Sequence, residues 1–179
     1  MHLFSPAQVA GYVALVLGVT GFLQRDDRRL KQLVTAECVA YVFHFALLGR
    51  PPAATSAGVS GVRTLLSIRY RSAWLAAAAI AVNVALAIGV GTRGTGWVPV
   101  AGSCLGAIAV FTMQGIPMRL VLLTSTFAWL ANNLLAGSVG GTVLESLIAA
   151  ANITTIVRLA RADAGEALTR PGPARPAGW

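Results

Sequence analysis

Seven apolar runs follow one another along the chain, each ended by a short cluster rich in Gly, Pro or Arg. They extend from Pro6 to Leu23, Leu30 to Gly49, Ala53 to Ile68, Ala73 to Val90, Trp97 to Met113, Met118 to Ala136 and Thr142 to Val157. A helix that crosses a bilayer needs about 20 mainly apolar residues, and these runs come close to that length. The pattern predicts an all-α membrane protein with seven transmembrane helices. The connections are only a few residues long, which leaves no room for a soluble domain and forces sequential helices to pack as neighbours. Past about Ala162 the sequence turns to Ala, Gly, Pro and Arg, as in Thr169-Arg170-Pro171-Gly172-Pro173. That composition predicts a disordered tail over 162–179.

The basic residues set the orientation. With the N-terminus outside, the inner loops and tail hold Arg25, Arg28, Arg29, Lys31, Arg69, Arg71, Arg119, Arg158, Arg161, Arg170 and Arg175. The outer loops then hold only Arg50 and Arg93, and Arg63 lies within a span. Cytoplasmic loops carry the excess of Lys and Arg, so this split predicts an external N-terminus and a cytoplasmic C-terminus, and it requires an odd number of helices. Met1 to Pro6 lacks the positive stretch of a cleavable signal peptide, so the first helix is expected to stay in the protein.

Composition agrees. The chain has 179 residues, 56% hydrophobic and 11% charged. A soluble domain carries about 25% charged residues, and so apolar a soluble fold would leave large exposed patches. The net charge of +8 could suggest nucleic acid, but the arginines sit at the ends of apolar runs and form no basic face with interleaved aromatics. Nucleic-acid binding is not expected. Cys38 and Cys104 lie inside apolar runs and read as small buried hydrophobes without a disulfide.

A weak internal repeat divides the chain. Ala40-Tyr41-Val42-Phe43-His44-Phe45-Ala46-Leu47-Leu48-Gly49 aligns with Ala128 to Gly137 at an offset of 88, matching Tyr41 with Trp129 and His44 with Asn132. An offset of 89 matches Arg63 with Asn152 and Arg69 with Arg158. Repeats of this kind are common in transporter folds. The expected plan is two parallel three-helix bundles, 6–71 and 97–161, joined by a linker helix at 72–92, all within one transmembrane domain over 1–161.

Ionisable groups inside spans are costly and mark functional sites by default. The candidate cavity is formed by Glu37, Tyr41, His44, Arg63, Asn132, Asn133, Glu145 and Asn152. Glu37 and His44 lie seven apart and share a helix face, with Tyr41 between them, and Glu145 and Asn152 repeat the spacing. At 1.5 Å per residue, Arg63 and Glu37 differ in depth by roughly 3 Å, so an Arg63–Glu37 ion pair is expected. Each residue also has a structural reading: a buried Glu–Arg pair can fix helix register, and an intramembrane Asn bonds between helices for about 0.6 kcal/mol. Catalytic motifs are absent: there is no Gly-x-Ser-x-Gly and no phosphate-binding glycine loop. Two histidines, one of them at position 2, do not make a usual zinc site, so neither an enzyme nor a metal or other cofactor is expected.

The polar residues recur in an order that resembles the YgjV-type bacterial inner-membrane proteins. The resemblance rests on His44-Phe45-Ala46-Leu47-Leu48-Gly49, Arg63, Trp129-Leu130-Ala131-Asn132-Asn133, Gly137-Ser138-Val139-Gly140-Gly141-Thr142, Glu145, Asn152 and Arg158. It covers Gly11 to about Arg161 and implies a bacterial cytoplasmic membrane, but no established activity. The three-one-three plan is also similar to the SWEET and PQ-loop transporters, although no helix here contains a Pro-Gln dipeptide.

Two functions compete. In the first, the protein carries a small polar solute through a midplane cavity between the bundles. In the second, it is a non-transporting interaction or assembly protein of the membrane. The partners implied are the lipid bilayer and, in the first case, a small polar solute, and either reading is compatible with a homo-oligomer. Convergence of His44, Asn132, Glu145 and Asn152 on one cavity would favour transport; separate packing of the four would remove that support.

Overall fold

The computed structural model describes residues 5–135 and 139–169. Among them are seven α-helices and no strand: α1 (Pro6–Leu23), α2 (Asp27–Leu47), α3 (Pro51–Leu66), α4 (Ala73–Gly89), α5 (Trp97–Thr112), α6 (Gly115–Leu135) and α7 (Val139–Thr169). A single 3-10 turn, Gly94–Gly96, leads into α5.

Local signals set the helix ends. Ser5 caps α1, accepting from the Gln8 N–H, and Pro6 fills the first turn. Asp26 caps α2 by accepting from the Arg29 N–H at 2.7 Å, so this helix starts ahead of the apolar run that begins at Leu30. Pro51 and Pro52 start α3, and Ser72 caps α4. Gly49 follows the end of α2 at φ +66°, the left-handed conformation that ends helices and that glycine adopts without strain.

The tail expectation needs correction. α7 runs past Val157 to Thr169, so 162–169 are helical. The segment Ala162-Asp163-Ala164-Gly165-Glu166-Ala167-Leu168 keeps good helix formers, and the first strong breaker is Pro171. The expectations for 170–179 and for the loop at 136–138 lie outside the described residues.

α2 packs between α1 and α3, and α6 packs between α5 and α7. The two groups meet along two seams, α1 against α7 and α3 against α5, while α4 covers α3 and α5. Three helical stretches are long and apolar enough to cross a bilayer: Pro6–Leu23, Gly94–Thr112 and Gly141–Gly165; α4 is apolar but shorter.

The distribution of polarity is inverted relative to a soluble fold. Large apolar side chains such as Val16, Phe43, Val62, Ile88 and Leu134 face outward, while Lys31, Glu37, Arg63, Asn83, Arg119, Glu145 and Asn152 are buried. Lipid removes the penalty on the first set, and the second set must find partners or an internal cavity. Small polar residues supply several interhelical contacts. Ser56 Oγ donates to Asn83 Oδ1 at 3.2 Å, Asn83 Nδ2 donates to the Val100 carbonyl at 3.3 Å, and Ser125 Oγ donates to the Gly102 carbonyl at 2.7 Å.

Candidate functional site

A chamber of about 90 Å³ lies between the two helix groups. Glu37, Tyr41, Arg63 and Glu145 all line it, with Cys38, Ser60, Ser125, Thr126 and Trp129. Four of the eight expected site residues therefore come together. α2 presents Glu37 and its neighbour Cys38, Tyr41 and Phe45; steps of three to four residues from this adjacent pair through Tyr41 to Phe45 keep them on one side of a helix.

Within this chamber the charges are arranged differently from the expectation. Arg63 makes no ion pair with Glu37; its Nη2 donates to Ser60 Oγ at 3.1 Å, and Nε and Nη1 are buried without a partner. Equal depth is a necessary condition for pairing, but direction around the helix axis decides the contact. Ser60 and Arg63, three residues apart, face α5: Ser60 Oγ lies 2.9 Å from Ser103 Oγ, and the Arg63 guanidinium packs over Gly106. A Cβ added at Gly106 would stand 2.5 Å from Arg63 Nη2. Glu37 points the other way, to α1, where a Cβ on Gly18 would stand 2.7 Å from its Oε1. Glu145 on α7 accepts a 3.4 Å hydrogen bond from the Tyr41 hydroxyl.

The other four residues go elsewhere. Asn132 and Asn133 line a wider cavity of about 300 Å³, with Leu48 and Arg50 from the α2–α3 connection, Pro52 from the start of α3, and Thr95, Gly96 and Pro99 before and in α5. Phe45 belongs to the wall of both cavities, stacked between Tyr41 (5.1 Å) and Trp129 (6.3 Å). His44 lines neither. Its Nδ1 lies 2.7 Å from the Ala7 carbonyl, which requires the proton on Nδ1 and ties α2 to α1. Asn152 is fully buried and donates from Nδ2 to the Arg119 carbonyl at 2.9 Å, joining α7 to α6. His44, Asn132, Glu145 and Asn152 thus do not share one cavity, and that particular sequence argument for transport fails. His44→Leu is expected to lower stability by about 1 kcal/mol, the net worth of one hydrogen bond, in a denaturation series on the purified protein. No loss at all would show that the Ala7 contact contributes nothing.

At the opposite end from the wide cavity, two basic residues read from sequence only as topology signals are deeply buried. Lys31 Nζ donates to the Ser67 carbonyl (3.1 Å) and to the Val110 carbonyl (2.9 Å), joining α2 to the end of α3 and to α5. Arg119 pairs with Asp27 at 3.0 Å, the one ion pair found among the described residues, and also donates to the Arg25 carbonyl. Asp27 accepts in turn from the Gly115 N–H at 2.7 Å. Thr155 Oγ1 donates to the Phe22 carbonyl at 2.7 Å, closing the α1/α7 seam. One end of the bundle is thus open and the other stitched across both seams.

Residues 5–163 match the Imp-YgjV family, described as bacterial inner membrane protein. The chain belongs to this family. It is 35% identical over 155 residues to inner membrane protein YgjV of Escherichia coli (strain K12), covering 87% of this chain and 85% of that protein. No solved structure matches significantly. Membership of the YgjV family places the chain in a bacterial inner membrane, which explains the outward-facing Val, Leu, Ile and Phe side chains.

Proposed function

We propose that this YgjV-family protein is a small-solute carrier that crosses the membrane seven times, with its N-terminus outside and α7 ending in the cytoplasm. The observation that carries this reading is the position of the polar chamber. It lies between the two helix groups, next to a wide cavity toward one end, with both seams stitched at the other. A protein that only scaffolds partners has no need of a charged internal chamber. In this orientation the wide cavity faces out and the Lys31 and Arg119 contacts close the inside. Phe45 is the side chain that lines both cavity and chamber.

An internal repeat is supported by residues other than those that first suggested it. At the offset of 88, Gly18 falls on Gly106, Lys31 on Arg119 and Phe22 on Val110. Each glycine receives a charged side chain, each basic residue sits at the stitched end, and both Phe22 and Val110 accept a bond across a seam. Exchange of the two halves also maps the α1/α7 seam onto the α3/α5 seam. Two like halves meeting along two like seams can rock to expose the chamber alternately.

The alternative, an interaction or assembly protein, draws on one feature: an apolar groove of about 460 Å³ facing outward between α3 and α4. Uptake separates the two readings. The purified chain in proteoliposomes should give saturable, time-dependent entry of some small polar solutes from a mixed panel. Entry no faster than in empty liposomes for every solute would overturn the carrier reading. Orientation is tested by a fluorescent reporter fused after Thr169, which should be active in the cytoplasm; a fusion active only in the periplasm would reverse the topology.

A further inference from the structure

We propose that the chamber binds a small zwitterion, a compound with a carboxylate at one end and an ammonium group at the other. The inference rests on the carrier reading only for its transport arm; binding stands by itself.

The chamber has one basic wall and one acidic wall, and they lie on opposite seams. Arg63, 93% buried by its 7% exposure, sits on the α3/α5 seam over Gly106. Two of its guanidinium nitrogens, Nε and Nη1, have no acceptor. A guanidinium offers N–H donors in a planar fork that suits a carboxylate, and buried donors left unmet are costly. Glu37 and Glu145 sit at the other seam. Glu37 lies against Gly18 of α1, which Ile148 of α7 also approaches, and Glu145 projects from α7. Neither carboxyl is in an ion pair, although both are buried. The two glycines occupy like places in the two halves, yet one faces a carboxyl and the other a guanidinium. The scaffold is repeated while the side-chain chemistry is reversed, from acidic at one seam to basic at the other.

Ligand chemistry follows by elimination. A simple anion would satisfy Arg63 and leave Glu37 without a partner. A simple cation would satisfy the carboxyls and leave Arg63 unmet. A sugar could bond to both walls through hydroxyls, but it brings no carboxylate to the Arg63 fork. A zwitterion such as glycine or β-alanine meets both walls. It would also touch both seams at once, and so couple its own binding to the contacts that hold the halves together.

The test uses the full chain and six probes at equal concentration: glycine, β-alanine, 4-aminobutyrate, acetate, methylammonium and glucose. In detergent, at least one zwitterion should raise the unfolding temperature by about 3 °C or more, while acetate and methylammonium do not. Arg63→Gln should abolish that shift, and Glu145→Gln should reduce it at least about tenfold in apparent affinity. If Arg63→Gln does not fold, the selectivity of the unaltered protein still decides the matter. Equal stabilisation by acetate alone or methylammonium alone, a response to glucose only, or no response to any probe would each overturn the proposal. In proteoliposomes, a zwitterion that binds but does not enter would leave the binding site standing and sink the carrier reading. Glucose entry without zwitterion binding would do the reverse.

Discussion

Arg119→Ala is expected to lower stability by about 3 kcal/mol, the lower end of what breaking a buried ion pair costs. The guanidinium is fully buried, whereas Asp27 keeps a quarter of its side-chain surface exposed, which favours the lower figure. Three losses combine. The ion pair disappears, the Arg25 carbonyl loses its donor, and a cavity opens at the stitched end. Asp27→Asn strands the fully buried guanidinium, and the single amide oxygen left cannot serve both Arg119 and the Gly115 N–H, so this change should cost at least as much, and the double variant should be more stable than the sum of the singles implies. Unfolding of the four proteins in denaturant completes this cycle. Arg119→Ala within 1 kcal/mol of the unaltered chain would mean that the stitched end does not depend on this pair. The same variant should also raise labelling of Cys38, a chamber residue, by a small thiol reagent applied from the side of the stitched end.

The second large effect is expected at the two glycines. On the carrier proposal, Gly18→Val and Gly106→Val should each lower uptake of the zwitterion that binds, by at least about tenfold, or ~1.4 kcal/mol, while stability falls by about 1–3 kcal/mol from overpacking. At Gly18 the first added carbon meets Glu37 Oε1 at 2.7 Å and Ile148 Cδ1 at 2.9 Å. At Gly106 it meets Arg63 Nη2 at 2.5 Å and Nη1 at 2.8 Å. Most of these atoms are the ends of flexible side chains, so the fold can yield by moving them, and the charged walls of the chamber move with them. Gly89→Ala is the control, because a Cβ there meets nothing within 4 Å. Uptake at the unaltered rate in both valine variants, with the proteins folded, would separate the two charges from transport.

The helices were legible because a hydrophobic run needs only one dimension to be read. Pro6–Leu23 and the start of α4 at Ala73 agree with the runs in the sequence, and α2 and α6 start earlier because Asp26 caps one and Gly115 opens the other. The site was legible in part. Glu37, Tyr41, Arg63 and Glu145 were found because an ionisable or hydroxyl group within an apolar run stands out, and they do line one chamber. Their partners were not found. Arg63 and Glu37 match in depth, yet one faces Gly106 and the other Gly18, and nothing in a single sequence gives the rotation of one helix against another. Lys31 and Arg119 were missed for a different reason. A basic residue near a helix end fits the positive-inside rule so well that burial is not considered, although their spacing of 88, the same as that of Tyr41 and Trp129, was a signal.

The stitched end also fixes an order of events during synthesis. Its contacts join residues far apart in the chain: Lys31 to Val110 across 79 positions, Asp27 to Arg119 across 92, and Phe22 to Thr155 across 133. At roughly 5–20 residues per second, the ribosome needs about 7–27 s to travel from Phe22 to Thr155. Throughout that interval the Phe22 carbonyl lacks its final partner, and Lys31 lacks Val110 for the first part of it. The first half of the chain therefore cannot complete its own stitched end, and α7 is the helix that seals α1.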